Sequence, residues 1–252
     1  MRLPTCITGE GHDGMSPESG LLRDNRIRIV GGRGGVGKSE CVINYALRLA
    51  SLDVPVMVAD LDVVNPYFTT RESRALLESR GVRVVGPSRR STANDVPALP
   101  ADLLRAFAAT DVHVVVDLGG ELNGTRSLGP YRDRLRETGC DFFLVINGCR
   151  PHHDSAEKVE DFAARYEDFV GLPLTGLVNN THLMNETGEE EIRRGEKLAV
   201  RFCAKRGIPY RYLCLTETVN ASVRTRAENV LLIRRWVIPW WIEREDKTER
   251  VS

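Results

Sequence analysis

Short runs of β-branched and apolar residues alternate with longer amphipathic stretches from residue 26 onward. The strand candidates are residues 27–30, 55–59, 112–116, 142–146, 174–178 and 210–214, compact and apolar as strands covered on both faces are. Between them the pattern predicts helices over 38–51, 72–79, 101–109, 127–138, 155–169 and 189–205. Such alternation implies a mostly parallel twisted sheet with helices on both faces, a three-layer α/β/α arrangement with right-handed crossovers. In such folds ligands bind beyond the carboxyl ends of the strands.

One domain over residues 26–243 accounts for this pattern. Residues 1–25, broken by Pro4, Gly9, Gly11, Gly14, Pro17 and Gly20, read as a flexible lead-in, and 244–252 as a charged tail. Residues 80–100, rich in Gly, Pro, Ser and Arg, read as an irregular connection with room for a short strand over 82–85.

Composition narrows the class. Lys plus Arg equals Asp plus Glu at 35 each, so the net charge calls for neither nucleic acid nor an anionic membrane. Six cysteines (Cys6, Cys41, Cys140, Cys149, Cys203, Cys214) include no C-x-x-C pair, which disfavours a zinc ribbon or a disulfide framework. Reduced thiols and a cytoplasmic setting are expected. No apolar run is long enough to cross a bilayer, and residues 1–25 lack the apolar centre of a secretory signal.

The first strand candidate runs into Gly32-Arg33-Gly34-Gly35-Val36-Gly37-Lys38-Ser39, and a helix pattern follows. This is G-x-x-x-x-G-K-[ST] in its strand–loop–helix context, the phosphate loop. Glycines let backbone amides converge on phosphate oxygens, and the helix start adds its positive dipole end. Lys38 is expected on the β- and γ-phosphates and Ser39 on Mg²⁺. The same run contains Gly32-x-Gly34-x-x-Gly37, with Asp60 some distance on, which is the dinucleotide fingerprint. Lys38 and Ser39, which have no special task in a dinucleotide fold, decide for a triphosphate.

Two further strands end in carboxylates. Val112 to Asp117 is an apolar strand with an acid at its tip, followed by Leu118-Gly119-Gly120. Asp117 is expected to hold magnesium through water, and Gly120 to offer its amide to the γ-phosphate. The second strand runs into Asp60-Leu61-Asp62, two acids facing one way if the strand continues. Asp62 is the candidate for orienting the attacking water and Asp60 for the magnesium shell, with a turn cap as the alternative for Asp60.

Together these motifs resemble the MinD/ParA/CobQ-CobB group of P-loop ATPases, which carry a deviant Walker A loop. The resemblance spans residues 27–215, with specific matches confined to the motifs. It implies Mg-ATP binding, a water-positioning role for Asp62, an ATP-dependent homodimer and a nucleotide-driven switch on a protein partner. The family's extra lysine is Arg33 here; its guanidinium can reach the phosphates of a second copy or face solvent. The family's proline after D-x-D is displaced into Asn65-Pro66-Tyr67-Phe68, where Tyr67 and Phe68 fit either a switch contact or loop packing.

In that group an Asn after the next-to-last strand reads the base, which implies Asn179 in Asn179-Asn180-Thr181-His182. An amide suits adenine, and no N-K-x-D for guanine follows; an Asn-rich turn is the alternative. Arg150, in Asn147-Gly148-Cys149-Arg150-Pro151, either binds substrate or belongs to a turn. His152 and His153, adjacent on one loop, make a poor metal pair. Trp236, Trp240 and Trp241 lie in a run interrupted by Pro239, which suits docking on the domain better than membrane contact. The expected protein is a Mg-ATP-binding switch with slow ATPase activity. A synthetase or small-molecule kinase of cofactor biosynthesis and a dinucleotide-binding protein are the competing classes.

Overall fold

The computed structural model describes residues 20–62, 73–86, 101–120, 128–216, 219, 223 and 225–236. The strands are β1 (Ile27–Gly31), β2 (Val56–Leu61), β3 (Val82–Val85), β4 (His113–Leu118), β5 (Asp141–Ile146), β6 (Gly176–Asn179), β7 (Tyr210–Leu215) and β8 (Asn229–Leu232). They form one 8-stranded sheet in the order β3-β2-β4-β1-β5-β6-β7-β8. Every pairing is parallel. The helices are α1 (Lys38–Ala50), α2 (Arg74–Ser79), α3 (Ala101–Ala108), α4 (Arg132–Thr138), α5 (Ala156–Val170) and α6 (Glu189–Arg206). The three-layer α/β/α architecture is the one the sequence implies, with β3 realised over 82–85.

The two-residue period of the strands sorts their side chains between two cores. On one face Ile27, Ile29, Met57, Ala59, Val114 and Val116 pack beneath α3, α4, α5 and α6. On the other Val30, Val56, Val58 and Val115 pack beneath α1 and Leu77 of α2. The largely apolar central strands follow from this, because neither face of the sheet's centre meets water.

The chain leaves β1 toward β2 on one side of the sheet, and after β4 crosses to β5 on the other. Neighbouring strands β1 and β5 thus send their connections in opposite directions. Their loops splay apart beyond the carboxyl ends, which opens the crevice where such folds bind ligands.

Residues 20–25 are anchored, so the flexible lead-in expected over 1–25 does not reach its end; residues 1–19 lie outside the described residues. The cause is Arg28, fully buried within β1. A buried guanidinium needs acceptors. It donates to Leu21 O (2.7 Å) and Asp24 O (3.3 Å), which draws the preceding chain across the sheet. Asp24 in turn accepts from Tyr45 Oη at 2.5 Å, from Tyr212 Oη and from Arg211.

Strand β8 was not expected. It is a short edge strand, partly exposed, and the chain beyond it turns back onto α1. Asn44 of α1 donates to Arg234 O (2.9 Å) and accepts from Arg234 N (2.8 Å), while Glu40 accepts from Trp236 N (2.8 Å). Trp236 therefore docks on the domain's own surface; Trp240, Trp241 and the tail over 244–252 lie outside the described residues. So do Asn65, Pro66, Tyr67 and Phe68. Among the described residues no helix is long and apolar enough to cross a membrane.

Candidate nucleotide site

Helix α1 starts at Gly37, whose φ of 85° lies in the left-handed region and whose side chain cannot cap. The α5 and α6 starts are satisfied differently: Ser155 Oγ accepts from Lys158 N (3.3 Å), and Glu191 accepts from Gly188 N (2.9 Å). The first-turn amides of α1 are left for an anion instead. A Cβ at Gly37 would also stand 2.3 Å from Asn180 Nδ2, so backbone conformation and space both require glycine. Asn180 in turn donates to Val36 O (2.9 Å), and Val36 is buried, which fixes the apex of the loop.

Lys38 is buried and its ammonium donates to Arg33 O at 3.3 Å, folded back toward the start of the loop. Gly120 closes the same cradle from β4. A Cβ there would come within 2.6 Å of Gly34 N and 2.9 Å of Lys38 Nζ. Tyr166 of α5, which the sequence did not single out, supports both parts. Its hydroxyl donates to Gly119 O (2.8 Å), and its ring lies where a Cβ on Gly31 would be, at 2.5 Å.

Asp117 sits opposite Asp60 in the register of β4 and β2, and both are fully buried. Neither oxygen of Asp117 has a hydrogen-bond partner. Burial raises its pKa to about 7, and Asp60 and Asp62 push the same way. Lys38 and Ser39 draw it down, although Ser39 makes no bond that satisfies either oxygen. A buried carboxylate without a partner costs several kcal/mol, on the order of the desolvation of a charge, until a proton or a cation joins it. With the hydroxyl of Ser39, it forms a hard oxygen donor set that fits Mg²⁺.

Asp60 Oδ1 accepts from Asp62 N (3.1 Å), so Asp60 makes the turn that carries Asp62 to the cavity wall. Asp60 thus fills the capping role held open for it, beside Asp117. Arg33 contributes its carbonyl to Lys38; its side chain is not among those lining the cavity.

The cavity has a volume of about 400 Å³ and runs from Gly34, Lys38 and Asp62 past Asn180 and His182. Its far end is mostly apolar, lined by Met184, Ile192, Leu215, Val219 and Ile233, with Thr187, Thr216 and Arg235 beside them. Sequence reasoning missed this end, although Leu215 and Thr216 follow a predicted strand and so lie at the ligand edge.

Asn179 is not at the cavity. It is fully buried, donates to Tyr210 Oη (2.9 Å) and accepts from Thr181 N (3.1 Å) and Thr181 Oγ1 (2.6 Å). The physical reason is one residue of strand length. β6 continues through Asn179, so its side chain alternates onto the α6 face, and the amide on the cavity wall is Asn180. His153 also faces inward, with Nδ1 accepting from Asn147 N (3.4 Å) and Nε2 buried without a partner. Burial, then Arg33, His152 and Lys38, lower its pKa to about 4 against the pull of Asp154, so the ring is neutral.

No protein-family model matches this chain, and no curated protein does. Solved structures do. Chloroplast FtsY from Physcomitrella patens superposes with a TM-score of 0.51 at 19% identity, over 76% of this chain and 58% of that one. The signal recognition particle receptor FtsY from Elizabethkingia anophelis gives 0.51 and 19%, over 78% and 62%. The signal recognition particle 54 kDa protein from Aeropyrum pernix K1, solved in complex with GDP, gives 0.51 and 16%, over 79% and 43%. This chain spans 43 to 62% of the length of these three structures, and at such identity the likeness is one of fold. With a phosphate loop after β1 and a carboxylate at the tip of the adjoining β4, the chain has the three-layer fold of P-loop nucleoside triphosphatases.

Proposed function

We propose that the chain binds Mg-ATP and hydrolyses it slowly, as a nucleotide-dependent switch on a protein partner. The observation that carries the reading is the buried Asp117 carboxylate, unpartnered beside Ser39 and Lys38 at an uncapped helix start. Each of these features is costly in an empty chain and becomes favourable around a metal-bound triphosphate.

In this reading the loop amides and Lys38 hold the β- and γ-phosphates, and Ser39 and Asp117 hold the metal. Magnesium, when bound, neutralises charge on the phosphate oxygens. Asp62, at the cavity wall, orients the attacking water and accepts its hydrogen bond. Gly120 presents its amide toward the γ-phosphate, and loss of that phosphate releases the turn at Gly119, the switch element. Arg33 acts on the phosphates of a second copy, as the resemblance to the MinD/ParA group implies.

Adenine is favoured by the composition of the far end of the cavity. Guanine presents N1–H and N2–H₂ donors, which a carboxylate reads best. Among the described residues the cavity-lining carboxylates are Asp62, at the phosphate end, and Glu40, which already accepts from Trp236 N and Asn44 Nδ2. The second reading is a guanine nucleotide, supported by the GDP in the Aeropyrum structure.

Calorimetric titration with ATP and with GTP, each with Mg²⁺, tests the proposal. Micromolar ATP binding that Lys38→Ala loses supports it. Tighter GTP binding moves the assignment to the second reading, and absence of binding by either removes both.

A further inference from the structure

The loop after β5 carries a cation that the phosphate motifs leave unused. Arg150 donates from Nε to Gly35 O (3.1 Å), and its side chain lines the cavity beside Gly34, Gly35 and Lys38. Among the described residues no carboxylate pairs with it. A guanidinium tethered through Nε keeps both terminal nitrogens of its fork, the pair that matches two phosphate oxygens.

The backbone beneath Arg150 is held rigid. Arg150 N donates to Asn147 O (3.0 Å), and Arg150 O accepts from His153 N (2.8 Å). Asn147 is fully buried; its Oδ1 accepts from Cys149 N (3.0 Å) and its Nδ2 donates to His182 O (3.1 Å). Gly148 N donates to Thr181 Oγ1 (2.9 Å). These bonds tie the Arg150 turn to the neighbouring 180–182 segment, which also lines the cavity. A long cationic side chain on a turn so constrained, and hooked to the phosphate loop itself, loses little further freedom when an anion arrives.

We infer that Arg150 is a second phosphate-binding cation, supplied by the same chain and clamping the polyphosphate of the nucleotide against the loop from the β5 side. The inference rests on the proposed triphosphate site and deepens it. Because the cation comes in cis, its own contribution to phosphate affinity does not depend on the arrival of another copy. This separates Arg150 from Arg33, whose side chain is outside its own cavity.

The test is calorimetric titration of wild type, Arg150→Gln and Arg150→Lys with ATP, ADP and adenosine in Mg²⁺, at two protein concentrations tenfold apart. Loss of a charge-assisted bidentate contact weakens ATP by about tenfold or more. Adenosine affinity is unchanged, Arg150→Lys falls between, and the loss of ATP affinity in Arg150→Gln relative to wild type is the same at both concentrations. ATP binding by Arg150→Gln at wild-type strength overturns the inference. So does an equal loss of ATP and adenosine, which would mean that Arg150 only shapes the loop. Lys38→Ala separates the two levels. If it abolishes ATP binding while Arg150→Gln binds ATP at wild-type strength, the triphosphate site stands and the Arg150 assignment falls; if wild type binds none of the three ligands, both fall.

Discussion

The phosphate end of the cavity comes from one run of consecutive residues and two strand tips, while its far end is gathered from four separate parts of the chain. Gly34, Gly35, Gly37, Lys38, Ser39, Asp62 and Gly120 line the first, with Asp117 buried behind them; Met184, Ile192, Leu215 with Thr216, and Ile233 line the second. The first end is polar, buried and strained toward a ligand, with a carboxylate lacking a partner and a helix lacking a cap. The second is apolar and internally satisfied, as its supporting residues Asn179, Tyr210 and Glu196 bond to one another. An end that is unsatisfied when empty stores interaction energy for the ligand, and an end that is satisfied supplies only shape and burial. Affinity should therefore reside mainly in the phosphates.

The sharpest way to break that contrast is Lys38→Ala, expected to weaken ATP by 100-fold or more, on the order of a lost charge-assisted contact plus a lost counter-charge. Calorimetry reads it directly. If adenosine and ATP bind equally well to wild type, the division of labour is wrong.

Asp117→Asn should act in opposite senses on the ligand and on the fold. Magnesium-dependent ATP binding is lost, yet the empty chain becomes more stable above pH 7. The folded pKa of about 7 lies above the unfolded value, so the penalty is full above pH 7 and vanishes below about pH 4. Converted at about 1.4 kcal/mol for each unit, it is on the order of 4 kcal/mol at pH 8. Denaturant titrations of both proteins at pH 8 and pH 5 measure it, and an equal difference at the two values would contradict the assignment.

His153 has the reverse sign. Its folded pKa of about 4 lies below the unfolded value near 6.5, so stability is complete above about pH 6.5 and declines as pH falls toward 4. The decline attributable to this ring is on the order of 3 kcal/mol. His153→Gln should flatten that part of the stability profile relative to wild type.

The smallest effect is expected at the far end. Met184, partly exposed at the cavity wall, contributes about half a side chain of burial to a bound base, so Met184→Glu should weaken ATP and adenosine alike by about fivefold. A loss confined to ATP would mean that this wall senses phosphate and not base.

The same contrast explains what could be read in advance. Phosphate contacts are made by backbone amides and strand-tip acids, so contiguous residues carry them and spacing alone exposes them. Asp62 reaches the cavity, and Asp117 lies buried close behind it, because each follows an apolar run. The far wall depends on how α6, β7 and β8 pack, which no local pattern encodes. The Asn179 expectation shows the limit of resolution: strand type and position were legible, but its last residue was not, and one residue of strand reverses a side chain. Strand β8 escaped for a related reason. Four residues at a sheet edge, only partly buried, carry too little apolar signal to separate from loop. Arg150 was legible as a residue at the ligand edge, but its hold on Gly35 is a contact between segments 115 positions apart.

The hydrogen bonds between Asn44 and Arg234, and between Glu40 and Trp236, have a mechanical meaning. Glu40 lies one turn or less from Lys38 and Ser39, on the helix that meets the phosphates. Load applied to the chain at residue 236 therefore has a direct path to that helix as well as to β8 and the sheet. Tension or docking at this point would tilt or slide the helix start against the loop, and a bound triphosphate would resist it. The segment after β8 is placed as a tiller would be, with the amino end of α1 as its rudder.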